Sequence, residues 1–173
     1  MAKNLIIYYS RRGENYVNGS IRSLAKGNAE LITDYIKDAI GADVFEIKTV
    51  NEYSTDYTTC TEEAKVELRE NARPELKEYL NSVAEYDNIF VVGPNWWGIY
   101  PMCMYTQLER LDFTGKNVHF VVTHEGSGTG GVPKTMKESC KGARIGQSIA
   151  VQGGSAPQAK SKVADWAKAA VNV

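Results

Sequence analysis

Five short apolar runs alternate with segments of helical periodicity along this chain. The runs lie at about residues 4–9, 43–48, 89–92, 118–122 and 149–151. Such regular alternation favours parallel strands whose helical crossovers cover both faces of one sheet. We therefore predict an α/β fold, a three-layer sandwich around a five-stranded parallel sheet.

Helical spacing of apolar residues predicts the connections between these strands. A helix from residue 28 to 40 would end at Gly41, and Pro74 and Pro101 suit the first positions of two further helices. The remaining predicted helices cover about residues 62–71, 134–140 and the segment after Pro157. The polar stretches 10–27 and 51–61 are predicted to be loops.

Composition and charge narrow the classes of protein. The chain has 173 residues, 43% of them hydrophobic, so one domain is expected. A formal net charge of −1 gives no electrostatic reason to expect nucleic acid or a membrane as a partner. The N-terminus does not resemble a signal peptide, and Cys60, Cys103 and Cys140 lack metal-ligand spacing. We expect free thiols and a cytoplasmic protein.

Unusual residues follow three of the predicted strands. In an open parallel sheet, ligands bind beyond the carboxyl ends of the strands, where the strand order reverses. If the order is 2-1-3-4-5, the loops that begin at Ser10, Pro94 and Thr123 are neighbours. These three loops would then form one binding site.

The first loop ends at the predicted helix start, where unpaired N–H groups and a partial positive charge suit a phosphate. Ser10 and Asn28 could add side-chain donors. The alternative is a plain glycine-bearing loop in which Asn28 only caps the helix and Arg11 and Arg12 are solvated charges.

The second loop carries Trp96, Trp97 and Gly98 at a turn, which favours a surface for a planar ligand. The alternative is that one tryptophan packs in the core and Gly98 serves only a tight turn. The third loop, residues 123–131, has four glycines, and Glu125 could accept a hydrogen bond from a heterocycle. By itself it could equally be a flexible loop without a ligand.

Taken together, these segments resemble the flavodoxin family, in particular bacterial flavodoxin-like proteins with a long first loop. The residues that carry the resemblance are 8–16 with 26–29, 93–98 with Pro101, and 123–128. The order and spacing of these motifs match over nearly the whole chain.

The resemblance implies a single flavodoxin-like domain over residues 1–173 that binds FMN, with no catalytic residue of its own and no metal. By position, the phosphate would lie among Ser10, Arg12, Asn15, Asn28 and Ala29. The flavin ring would contact Pro94, Asn95, Trp96, Trp97 and Gly98 on one side and Thr123, Glu125, Gly126 and Gly128 on the other. After reduction, the peptide carbonyl of Trp97 or Gly98 would turn to accept a hydrogen bond from the ring.

The first loop, the net charge and the third loop of this chain each depart from the family pattern. About a dozen residues are inserted before Gly27, and alanine replaces the last threonine of the phosphate loop. The chain is close to neutral, whereas many flavodoxins are strongly acidic. The third loop lacks the tyrosine that often covers the outer ring face, so His124 or a tyrosine of the first loop would cover that face, or it stays open to a substrate.

The motifs and the resemblance leave three possible functions for this protein. The first is a flavodoxin-type one-electron carrier, and the second is an NAD(P)H- or quinone-linked FMN-dependent oxidoreductase. The third is a non-redox binding module on the same scaffold. The expected partner is a redox protein or a small-molecule electron acceptor, and the expected state is a monomer or homodimer.

Overall fold

A parallel sheet forms the centre of the structure, which a computed structural model describes for residues 2–172. Its strands are β1 (Asn4–Tyr8), β4 (Asp43–Glu46), β5 (Asn88–Pro94), β6 (Asn117–His124), β7 (Arg144–Ile145) and β8 (Ile149–Gln152). The order is β4-β1-β5-β6-β7, and β8 also pairs with β6. β7 and β8 pair with successive parts of β6, so they are two pieces of one fifth strand. The predicted order 2-1-3-4-5 is confirmed.

Helices cover both faces of this sheet. The helices are α1 (Asn28–Ile40), α2 (Tyr57–Arg69), α3 (Met102–Leu108), α4 (Val132–Ser139) and α5 (Lys160–Val171), with a 3-10 helix at Gly153–Gln158. Along β1, Ile6 packs in the core beneath α1 and α5, whereas Ile7 packs in the core on the opposite face. This alternation gives two cores and confirms the three-layer sandwich. Across residues 2–172, no helix combines the length and apolarity that spanning a bilayer requires.

The helix predicted at residues 74–83 is wrong. This segment is irregular: Leu76 forms an isolated bridge with Thr49, and Lys77 N–H donates to the Lys48 carbonyl oxygen over 2.8 Å. The buried Gln107 side chain then donates to and accepts from the backbone of Leu80. Hydrogen bonds to distant residues therefore replace those of a helix, while Leu76 and Val83 still fill the core.

The predicted irregular loop at residues 10–27 instead contains a β-hairpin. Its strands are β2 (Gly13–Val17) and β3 (Ser20–Leu24), which form a separate two-stranded sheet. Asn18 and Gly19 connect them with φ angles of 51° and 85°, as in a type I′ turn. The Asn-Gly pair is a strong hairpin signal, so this element could have been predicted from the sequence.

His119 lies in an apolar setting on β6. Its ring is 5.2 Å from that of Phe90 and 6.3 Å from that of Trp166, measured between centroids. Neither ring nitrogen has a hydrogen-bond partner among residues 2–172. Burial without a partner lowers the pKa of His119 below its usual 6.5, because the charged form loses its hydration.

We expect His119 to make the free energy of unfolding depend on pH. Below about pH 6.5 the unfolded chain binds a proton at this histidine that the folded protein does not. The free energy of unfolding therefore decreases as the pH is lowered. His119→Phe keeps a ring of similar size and removes this proton. Its stability relative to wild type should therefore rise by up to about 1 kcal/mol between pH 6.5 and 5.5. Chemical denaturation at several pH values measures this difference, and a difference that is constant from pH 7.5 to 5.5 would contradict the prediction.

Candidate functional site

The loops that follow β1, β5 and β6 meet at one edge of the sheet and surround a cleft. The cleft consists of two adjoining cavities of about 280 and 170 Å³. Both are lined by Arg11, Asn15, Tyr57, Asn95 and Trp96. The smaller cavity also contacts residues of all three predicted loops, including Ser10, Ala29, Pro94 and Thr123. The parallel strand order thus brings the three loops together at one place.

The start of α1 forms one end of the smaller cavity. Gly27 is the N-cap, and Asn28 and Ala29 are the first helical residues, so Asn28 is not the cap. The Ser10 hydroxyl oxygen accepts from the Glu30 N–H over 3.1 Å. Among residues 2–172, the N–H groups of Asn28 and Ala29 have no protein partner. Two free donors at a positive helix end suit an anionic group.

Gly27 allows the first loop to approach this helix end closely. A side-chain carbon at this position would overlap the Ser10 hydroxyl and the Arg11 carbonyl oxygen. Glycine is therefore required for the contact between Ser10 and the helix.

The side chains of both arginines in the first loop bond to other parts of the protein. Arg12 pairs with Glu30 at 3.0 Å and with Glu46 at 3.4 Å, and it lines neither cavity. Arg11 lines both cavities, but its guanidinium donates to the carbonyl oxygens of Glu14, Ser54 and Thr55. The predicted phosphate contact Arg12 thus lines neither cavity, whereas the positive charge of Arg11 lies beside both.

The hairpin closes over this end of the cleft. At its tip, the Asn18 N–H donates to the Glu125 carboxylate over 3.3 Å. The Asn18 side chain also packs so closely on Gly154 that a Cβ there would overlap it. Glu125, which was predicted at the ring edge, lines the smaller cavity; its carboxylate lies beside Gly153 and Asn28 and accepts from the hairpin. Near the base of the hairpin, the Asn15 amide donates to the carbonyl oxygens of Arg11 and Gly13.

The tryptophan loop is a tight turn. The Trp96 N–H donates to the Ile99 carbonyl oxygen over 2.7 Å, and Trp97 and Gly98 have φ angles of 59° and 99°. Positive φ at both central residues defines a type I′ turn. The Gly98 carbonyl oxygen accepts from the Gly131 N–H over 2.7 Å, which links this turn to the start of α4.

The two tryptophan side chains have different surroundings. Trp96 packs edge-on against Tyr9 and Tyr53, with centroid distances of 5.3 and 5.1 Å. Trp97 is 51% exposed, and its indole N–H donates to the Thr61 carbonyl oxygen on α2 over 2.9 Å. Both side chains line the larger cavity, and Trp96 also lines the smaller one. Trp96 is partly buried and packs against the hydrophobic core, as expected for one of the two tryptophans, whereas Trp97 is exposed.

Asn95 connects the second loop to the third. Its amide oxygen accepts from the Gly98 N–H over 2.8 Å, and its amide nitrogen donates to the Gly128 carbonyl oxygen over 3.1 Å. Its backbone N–H donates to the Thr123 carbonyl oxygen over 2.8 Å. The Gly126 N–H donates to the His124 imidazole, which orders the start of the third loop. The glycine-rich loop therefore has a defined conformation.

Tyr16 and Tyr57 form an aromatic wall that the sequence did not predict as such. Tyr57 from α2 lines both cavities, and Tyr16 from the hairpin lines the smaller one. Their rings are stacked, with centroids 6.1 Å apart and an angle of 29° between their planes. Tyr57 was assigned to a loop, whereas Asp56 caps a helix that begins at Tyr57 by accepting from the Thr59 N–H. The acidic capping residue was the signal for this earlier helix start.

Cys60 is the thiol nearest to the cleft, and it lines the larger cavity. Burial raises the pKa of this thiol to about 11, so it stays protonated at neutral pH. Cys103 and Cys140 are buried, and burial raises the pKa of both thiols. The cleft therefore offers hydrogen-bond donors and aromatic surfaces rather than a reactive nucleophile.

Comparison with known proteins places this architecture in a family. The family model described as Flavodoxin matches residues 21–170. A protein from Bacteroides uniformis ATCC 8492, named provisionally as a flavoprotein, is 26% identical; the match covers 96% of this chain and 98% of that chain, with a TM-score of 0.74. No curated protein is a significant match.

Two more distant structures share the fold. A flavoprotein in complex with FMN from Lactobacillus acidophilus NCFM is 17% identical, with a TM-score of 0.62 over 93% of this chain and 99% of that chain. Oxidised flavodoxin 2 from Bacillus cereus is 20% identical, with a TM-score of 0.58 over 99% of both chains. Since the family model spans most of the sequence, and since the sheet order agrees with the motifs, this chain belongs to the flavodoxin family.

Proposed function

We propose that this protein binds FMN in the cleft and transfers electrons through it. The observation that carries the proposal is that one cleft combines two free helix N–H groups at one end with aromatic side chains along its length. The flavoprotein from Lactobacillus acidophilus, which shares the fold, was solved in complex with FMN.

The helix end suits the phosphate of FMN. The N–H groups of Asn28 and Ala29 are free among the described residues, and Ser10 adds a hydroxyl beside them. These donors are neutral, and the dipole of α1 supplies the favourable potential for a dianion. Arg12 would act indirectly, because its pairs with Glu30 and Glu46 hold the start of α1 against β4.

The aromatic part of the cleft suits the isoalloxazine ring. Trp96 and Trp97 would form one wall, and the stacked pair Tyr16 and Tyr57 would cover the opposite face. Tyr16 belongs to the inserted hairpin, so it would take the place of the tyrosine that the third loop lacks. Thr123 and the backbone of the third loop would contact the polar edge of the ring.

FMN supplies the redox chemistry when bound, and the protein positions it and sets the polarity around it. We propose a flavodoxin-type one-electron carrier, because the chain belongs to the flavodoxin family and the Cys60 thiol that lines the larger cavity stays protonated at neutral pH. An NAD(P)H- or quinone-linked FMN-dependent oxidoreductase is the second candidate. The near-neutral charge favours it, since it gives little steering toward a basic partner protein.

We further propose a cytoplasmic location, and a redox protein or a small-molecule electron acceptor as the partner. Neither nucleic acid nor a membrane is part of this proposal, and the working state would be a monomer or a homodimer.

Absorption spectroscopy of the purified protein tests the proposal. We expect flavin absorbance that is lost when FMN is removed and regained in a one-to-one titration. A protein that takes up no FMN would overturn the proposal. Rapid oxidation of NADH or NADPH in the presence of a quinone would favour the oxidoreductase, and no such activity would favour the carrier.

Gly27→Ala should weaken the binding of FMN about tenfold or more, because the new methyl group displaces Ser10 from the helix end. Riboflavin lacks the phosphate, so its affinity should change much less. Fluorescence titration of the apoprotein with both flavins measures the ratio. Gly146→Ala is a matched control, since its methyl group would likewise overlap neighbouring atoms, here the His119 ring near the opposite end of β6, at a position without positive φ. Equal losses for FMN and riboflavin in Gly27→Ala would contradict the assignment of the phosphate site.

Tyr16→Ser should weaken FMN binding roughly two- to tenfold, because stacking of aromatic rings is worth about 0.5–1.5 kcal/mol. Tyr16→Phe keeps the ring and should bind FMN nearly as tightly as wild type. Ile21→Ser is the control on the same hairpin: Ile21 pairs with Tyr16 across the two strands but lines neither cavity. The same FMN affinity for Tyr16→Ser and Ile21→Ser would show that Tyr16 does not cover the ring.

A further inference from the structure

The backbone of the tryptophan turn is in a conformation that restricts how it can move. Trp97 occupies the first central position of the type I′ turn with a φ of 59°. A bulky residue with positive φ is uncommon and needs support from its surroundings. The structure supplies this support through the Trp97 indole N–H, which donates to the Thr61 carbonyl oxygen on α2.

Rotation of the Trp97–Gly98 peptide would convert this turn into a type II′ turn. Type II′ turns require glycine at the first central position, since the backbone there enters a region that side chains exclude. That position is Trp97, and the glycine is one residue later at Gly98. The order Trp-Gly therefore permits the observed orientation and strongly disfavours the rotated one.

Hydrogen bonds hold both sides of Gly98 in the same orientation. The Gly98 N–H donates to the Asn95 amide oxygen over 2.8 Å, and the Gly98 carbonyl oxygen accepts from the Gly131 N–H over 2.7 Å. Rotation of the peptide would break the first of these bonds. The Asn95 amide is itself fixed, because its nitrogen donates to the Gly128 carbonyl oxygen.

We infer that the Trp97–Gly98 peptide keeps one orientation in both the oxidised and the reduced protein, and that Asn95 is the positioning residue that holds it. The inference rests on the proposed binding of FMN. It replaces the expectation from sequence that this peptide turns after reduction. The turn would then present the same backbone atoms to the cofactor in every redox state. Peptide rotation would therefore not limit the rate of electron transfer.

Amide hydrogen exchange at Gly98, followed by NMR, tests this inference. Binding of FMN is established first by absorbance, so a failure of the proposed function is recognised separately. In wild type, the exchange rate of the Gly98 N–H should differ less than threefold between oxidised and chemically reduced FMN-loaded protein. An increase of more than tenfold on reduction would overturn the inference.

Three variants separate the contributions to the fixed turn. Asn95→Ala should accelerate Gly98 exchange more than tenfold already in the apoprotein, whereas Asn95→Asp keeps an oxygen acceptor and should retain protection within about threefold. Trp97→Gly removes the steric restriction, so Gly98 exchange should become at least tenfold dependent on reduction. If Trp97→Gly stays as insensitive to reduction as wild type, Trp97 does not restrict the turn. If Asn95→Ala leaves Gly98 protected, Asn95 does not hold it.

Discussion

The parallel pairing of β1, β5 and β6 is the constraint on which the cleft depends. Tyr8 lies beside Val92, and Pro94 lies beside Thr123, so the three strands end at the same edge of the sheet. Residues more than 80 positions apart in sequence, such as Ser10 and Pro94, thereby line one cavity. A shift in register of any of these strands would move one wall of the cleft along the strand direction.

The inserted hairpin changes the character of this site. A short first loop would leave the mouth of the cleft open, whereas here the hairpin spans from Tyr57 on α2 to Glu125 in the third loop. Because the hairpin forms its own two-stranded sheet, contacts at its base and tip position it rather than pairing with the central sheet. The aromatic wall is consequently built by elements that belong to different parts of the chain.

Hydrogen bonds between loops make the cleft a preformed site. Asn95 alone uses its backbone N–H, its amide oxygen and its amide nitrogen to connect the second loop to itself and to the third loop. The glycine-rich segment is ordered by the same contacts, although its composition is typical of flexible loops. A site that is organised before binding loses less conformational entropy when a ligand enters.

The sheet, its strand order and the three loops could be predicted from the sequence alone, because buried parallel strands and amphipathic helices leave periodic apolar patterns. The sequence also placed Ser10, Asn28, Trp96 and Thr123 at one site, since strand ends in a parallel sheet converge. The folded structure was needed to identify the partners of Arg12 and Glu125, the irregular course of residues 74–83 and the stacking of Tyr16 on Tyr57. These features depend on contacts between residues far apart in sequence, which local propensity and periodicity do not encode.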